Sequence, residues 1–180
     1  MSIQDREKNV ASSRTFRIIR DLYDLPNKAV LDVGCGFGEY LRFFGSGSTG
    51  ITTTAAEIEY AKENNLMVLF GNAEMLEDTV FQKEFDAVWA NNLFEHLVSP
   101  HAFLIKLKKL SHGKTMLILG VPVMPKIVSL LSLRQWRGAL ATNHINFFTH
   151  ATLRLTVERA GWTVTAARPF LFKNSLLDRL

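Results

Sequence analysis

The stretch Val30-Leu31-Asp32-Val33-Gly34-Cys35-Gly36-Phe37-Gly38 decides the fold. It reads as a buried strand delivered into glycines at alternate positions, followed by a short helical stretch over 39–44. Glycine is needed where the chain takes positive φ or where bare backbone must approach a ligand closely. At the carboxyl end of a first strand, such a loop lies at the crevice where open α/β sheets bind their ligands. No lysine of the P-loop type follows it, and the third glycine falls one residue short of the dinucleotide fingerprint.

Outward from this loop, short apolar runs at 29–33, 66–70, 85–90 and 115–121, with a weaker one at 49–53, alternate with helical patterns. Near-continuous hydrophobicity suits strands buried on both faces, and the alternation predicts a parallel sheet covered by helices. Phe16, Ile19, Leu22 and Tyr23 share one face of a helix over 14–25. Thr54-Ala55-Ala56-Glu57 has capping-box spacing and opens a helix running to about Asn64. Ser99-Pro100 caps the next helix, with Gly113 just beyond its end. Thr149 caps a last helix ending at Gly161, and 162–166 reads as another strand.

At 180 residues the chain is read as one domain over 1–180. Its 47% apolar and 21% charged residues are ordinary for a soluble globular protein. No apolar run reaches the ~20 residues needed to span a bilayer. The N-terminus has no signal-peptide core, and the single cysteine, Cys35, forms no internal disulfide, so a cytoplasmic setting is expected. A net charge of +4 raises the question of nucleic acid. The basic residues are spread along the chain, however, and Lys106, Lys108 and Lys109 fall where a helix C-terminus favours cations. No nucleic-acid partner is expected.

The run Val-Leu-Asp-Val-Gly-Cys-Gly-x-Gly resembles motif I of the class I S-adenosylmethionine-dependent methyltransferases. The resemblance continues in register through Gly71-Asn72-Ala73-Glu74, Phe85-Asp86-Ala87-Val88, Glu95-His96-Leu97 with Pro100, and His144-Ile145-Asn146-Phe147-Phe148-Thr149. It ends at Ala160-Gly161-Trp162, covering about 14–168. It implies an α/β, Rossmann-like three-layer sandwich with a mostly parallel sheet of six or seven strands, the seventh short at 170–173 or missing. It also implies S-adenosylmethionine as cofactor. Gly34, Cys35, Gly36 and Gly38 would pass close to its methionine part, and Asp32 would fix the loop and the surroundings of the amino group. Asn72 (side-chain amide) and Ala73 (backbone) would contact the adenine, and the Asn91 carbonyl would meet the amino group. In this family the residue at Cys35 is a small one tolerated in a tight loop, not a nucleophile.

The sequence departs from the family pattern in three places. The family ends its second strand with a carboxylate that accepts both ribose hydroxyls; here that place falls on Thr52, whose hydroxyl offers one weaker contact. Glu57 is expected to turn back into the capping box and not to substitute, so weakened cofactor binding is expected. Asn92 stands where some quinone-pathway members carry a second metal-binding glutamate, leaving Glu95 and His96, and no metal is expected. Finally, few residues remain for a terminal hairpin.

Methyl transfer from a sulfonium needs positioning and desolvation, with a base only where the acceptor loses a proton. His96, after the fourth strand, and His144, before the last helix, are the candidate bases. Residues 122–143 are an insertion rich in apolar side chains, suited to a lid over a small-molecule substrate, a homodimer surface or plain core packing. The leading expectation is a small-molecule methyltransferase, oxygen-directed ahead of nitrogen or carbon. The alternative is a catalytically degenerate domain serving as a binding or partner module. A nucleic-acid amino-methyltransferase would carry prolines in the loop that here reads Asn91-Asn92-Leu93-Phe94, and a nicotinamide-dependent oxidoreductase has a different glycine spacing.

Overall fold

The protein is described from a computed structural model over residues 2–76, 84–124 and 140–168. Five strands form one sheet: β1 (Val30–Val33), β2 (Thr49–Thr52), β3 (Val68–Phe70), β4 (Ala87–Asn91) and β5 (Met116–Gly120). Their order is β3-β2-β1-β4-β5, and every pairing is parallel. The sheet is flanked by α1 (Ile3–Ser12), α2 (Arg14–Leu22), α3 (Ala55–Glu63), α4 (Pro100–Leu110) and α5 (His150–Arg159). The order steps outward in both directions from β1, so β1 and β4 straddle the switch point whose carboxyl end opens a crevice.

The period-two alternation of the strands sorts the core into two faces. Leu31, Val33, Ile51 and Val88 point to one side, where they meet Phe103, Leu104 and Leu107 of α4 and Val157 of α5. Val30, Ala87 and Trp89 point to the other, against Val10 of α1 and Phe16 of α2. Phe16 sits at the centre of an aromatic cluster, edge-on to Tyr40, Phe43, Phe44 and Trp89 at centroid distances of 4.9–6.1 Å. The three-layer sandwich therefore follows from strands that are apolar on both faces.

The helix boundaries track their caps. Ser99 accepts from the Ala102 amide at the start of α4, with Pro100 in the first turn. Thr149 and Thr152 form a reciprocal capping box at α5, which ends at Gly161 with φ 87°. Two features differ from the sequence reading. Helix α1 was not anticipated, although Ser2 and Asp5 form a capping box at its start. Residues 162–166, read as a strand, join no ladder among the described residues. Trp162 instead turns inward, donating its indole N–H to the Leu104 carbonyl at 3.0 Å beneath the Lys108 ammonium, 4.7 Å from the ring centroid. The expected lid at 122–143 lies outside the described residues over 125–139, as does the short strand at 170–173.

Phe103 is 2% exposed and packs against Phe94. Phe103→Ala should destabilise the fold by about 3–5 kcal/mol in urea unfolding, through lost burial and an unfilled cavity. Val98→Ala, at a position 78% exposed, should stay within about 0.5 kcal/mol.

Candidate functional site

The carboxyl end of β1 is built around a buried acid. Asp32 is 2% exposed, and its Oδ2 has no hydrogen-bond partner in the protein. Burial, followed by the nearby Glu39 carboxylate, raises its pKa well above the ordinary aspartate range. Directly after it, Gly34, Gly36 and Gly38 take φ values of 77°, 57° and 79°, a conformation that side-chain-bearing residues rarely adopt. The Gly34 and Cys35 amides both donate to the Ile51 carbonyl, at 2.9 and 3.1 Å, and pin the loop to β2. Gly50 permits this approach, since a Cβ there would stand 2.5 Å from the Cys35 sulfur.

The groups around the loop are acidic and held in place. Glu39 is buried and lies 3.6 Å from Arg6 of α1, whose guanidinium also sits over the Phe37 ring. The Tyr40 hydroxyl accepts from the Asn91 side-chain amide at 3.1 Å. Burial and the Asp32 and Glu39 charges push the Tyr40 pKa up to about 12, so this phenol stays protonated near neutrality. The Cys35 thiol is pushed up by burial and by three surrounding carboxylates, which keeps it from being a thiolate nucleophile. Arg6 pairs with Glu39, while Asp32 Oδ2 has no partner, an arrangement with room for a cationic group.

The end of β2 corrects the sequence reading. Thr54 makes no side-chain cap bond, so the capping box expected to occupy Glu57 does not form. Glu57 instead accepts a hydrogen bond from the Thr52 hydroxyl, whose oxygen in turn accepts from the Thr54 amide at 3.2 Å. A carboxylate thus stands at the end of β2 after all, reached from the first turn of α3. Across the sheet edge, the Asn72 side-chain oxygen caps a short turn by accepting from the Glu74 amide at 2.9 Å, while Ala73 packs on the core.

On the other flank, the loop after β4 carries a second cluster. Leu93 approaches the glycine loop, where a Cβ on Gly34 would meet it at 3.1 Å. Glu95 is 1% exposed, and its Oε2 has no partner. Its Oε1 lies 3.9 Å from His96 Nε2 and 3.8 Å from His144 Nε2. The two imidazoles meet edge to face at 4.9 Å. His96 Nδ1 contacts the Asn143 carbonyl at 3.0 Å, and the Glu95 carbonyl accepts from the Ile145 and Asn146 amides. The fold therefore joins both predicted histidines, some fifty residues apart in the chain, around a glutamate.

Five parallel strands in this order, with a glycine loop over a buried acid at the switch point, define the class: an S-adenosylmethionine-dependent methyltransferase. The chain belongs to the methyltransferase-domain family, whose model matches residues 6–167. No sequence relative is found among curated proteins. Among solved structures, the chain is similar to an S-adenosylmethionine-dependent methyltransferase from Thermotoga maritima described as a possible histamine N-methyltransferase. That match has a TM-score of 0.63 at 18% identity and covers 90% of this chain and 78% of that one. A methyltransferase from Mesorhizobium loti gives 0.63 at 12% identity, covering 87% and 84%. A third match comes from a complex between the Trm112 methyltransferase activator and a methyltransferase of Haloferax volcanii, at 0.63 and 20% identity, covering 87% and 72%. At these identities the structural likenesses speak to the fold. Among the described residues no helix is long and apolar enough to cross a membrane.

The buried acid predicts a pH dependence. Folding raises the Asp32 pKa, so the folded chain holds this proton more tightly than the unfolded one. The resulting stability is full below the unfolded value and is lost as pH rises through the folded one. Thermal unfolding of the ligand-free protein should therefore show a contribution that declines as pH rises above the ordinary aspartate range, and Asp32→Asn should flatten it while leaving the protein at least as stable at the upper end.

Proposed function

We propose that this chain transfers a methyl group from S-adenosylmethionine to a small-molecule acceptor, with oxygen as the favoured target atom. The observation that carries the reading is the unpartnered Oδ2 of Asp32 beneath three left-handed glycines, with Glu57 brought to the end of β2 by Thr52. The residues present fit the cofactor. Asp32, with Glu39 beside it, suits the cationic methionine amino group, and the Asn91 carbonyl lies at the end of the adjacent strand. Gly34, Cys35, Gly36 and Gly38 bring backbone, not side chains, against the methionine part. Glu57 takes the two ribose hydroxyls in place of the missing strand-end acid, and Thr52 orients it. Asn72, whose oxygen is engaged in the cap, offers its amide N–H groups to the adenine beside the Ala73 backbone.

The bound cofactor supplies an already activated methyl group, and the protein supplies alignment and a dry surface. The acceptor approaches from the loop after β4, where Glu95, His96 and His144 form its polar wall and the stacked pair Phe94 and Phe148 lies behind. Neither histidine stands apart as a base, because the Nε2 atoms of both lie 3.9 and 3.8 Å from one glutamate oxygen. The competing reading, a degenerate module without cofactor, drew its support from Thr52. Glu57 removes most of that support.

Calorimetric titration with S-adenosylmethionine and its demethylated product should give one site per chain. Glu57→Gln should weaken both ligands about tenfold or more, through the loss of charge-assisted bonds to the ribose, and Thr52→Val should weaken them less. Absence of heat at millimolar ligand overturns the proposed function. Wild-type affinity in Glu57→Gln overturns the ribose assignment alone.

A further inference from the structure

We propose that Glu95, His96 and His144 form a binding site for a borderline divalent transition metal ion, of which zinc is the type, at the acceptor side of the molecule. The expectation of no metal counted only the neighbours Glu95 and His96. The fold supplies the missing donor, because the turn after Asn143 lays His144 against His96. One ligand atom from each of the three residues lies within 4.8 Å of the others.

Three observations favour an ion over a set of ordinary hydrogen bonds. The first is separation. The Glu95 carboxylate oxygen stands 3.8 and 3.9 Å from the two imidazole Nε2 atoms, too far for a hydrogen bond. Bonds of about 2.0–2.2 Å at tetrahedral angles place ligand atoms about 3.3–3.6 Å apart, so both carboxylate–imidazole separations lie within about half an ångström of a shared-cation span. The second is the tautomer of His96. The Asn143 carbonyl can only accept, so Nδ1 carries the proton, and in the neutral ring Nε2 is left with its lone pair toward the carboxylate. Two electron-rich atoms facing each other call for a cation between them, and a backbone carbonyl holding the distal N–H is the usual outer support of a metal-bound histidine. The third is the orphaned Oε2 of Glu95, a side chain 1% exposed that leaves this oxygen without a hydrogen-bond partner in the protein.

The donor set names the metal class. Two imidazoles and one carboxylate suit zinc, iron(II), cobalt(II) or nickel(II), whereas magnesium and calcium prefer all-oxygen cages. Three protein ligands leave at least one coordination position open, the pattern of sites that bind a further molecule rather than brace a fold. That position takes an oxygen or nitrogen of the acceptor. Metal binding itself stands whether or not the proposed methyl transfer is correct.

The test uses the full chain, stripped with chelator and titrated with cobalt(II) as a spectroscopic probe and zinc by calorimetry, without any methyl donor. One equivalent of cobalt should produce ligand-field absorption. Zinc should bind at about one per chain and raise the thermal midpoint, while magnesium at the same concentration should do neither. His96→Ala and His144→Ala should each weaken zinc by at least about tenfold, since even outer-sphere losses cost that much. Glu95→Gln, which keeps the buried shape, should do the same, while His101→Ala, on the exposed face of α4, leaves binding unchanged. A wild-type protein with no cobalt absorption and no zinc-dependent stabilisation overturns the site. So does zinc binding that survives intact in all three ligand variants.

Discussion

A carboxyl group taken out of water with one oxygen left unpartnered is the constraint on which the rest of this structure depends. Asp32 lies in the central strand, paired through its backbone with both β2 and β4, and its side chain is enclosed just below the glycine loop. Charge in such a place is expensive, so burial raises the pKa of this group and favours its protonated form. Here the neighbouring acid, Glu39, makes matters worse, and Arg6 reaches Glu39 from one side only. A cationic ligand seated on the loop resolves the imbalance. The left-handed glycines leave backbone exposed there, and the Ile51 carbonyl holds the loop in place, as the proposed cofactor site requires.

The same arrangement accounts for what surrounds it. Helix α1, through Arg6 on Phe37 and Glu39 and through Glu7 on Arg42 and Tyr60, ties the N-terminus to the loop and to α3. The aromatic cluster around Phe16 and Trp89 fills the layer beneath Tyr40, and Tyr40 in turn holds the Asn91 side chain at the end of β4. The glycine loop and the loop after β4 meet at Gly34 and Leu93, two residues before Glu95.

Much of the fold was legible in the sequence because its signals are local. Strands buried on both faces read as apolar runs, and Ser99-Pro100, Thr149 and Gly161 punctuate helices by their own backbone chemistry. The site was legible where it is backbone-made, at the glycine loop, and less so where it depends on side chains meeting across distance. Glu57 was misread because a capping box and a hydrogen bond to Thr52 compete for the same carboxylate, and only the geometry at the end of β2 decides between them. His144 was recognisable as a polar residue before a helix, but its approach to His96 depends on the path of the chain after β5. Residues 162–166 have strand composition, yet the indole bond from Trp162 to Leu104 draws the chain onto α4. Helix α1 was missed although Ser2 and Asp5 announce it, because its apolar face is narrow.

The central claim is that the Asp32 carboxyl awaits a cation. It is tested most directly by the protons exchanged when the demethylated cofactor product binds, measured by calorimetry at mildly acidic pH in buffers of different ionisation enthalpy. The account predicts net proton release on binding, as the ligand's ammonium group draws Asp32 into its charged form, and loss of that release in Asp32→Asn. Binding with no proton release, or with the same release in the variant, would contradict it.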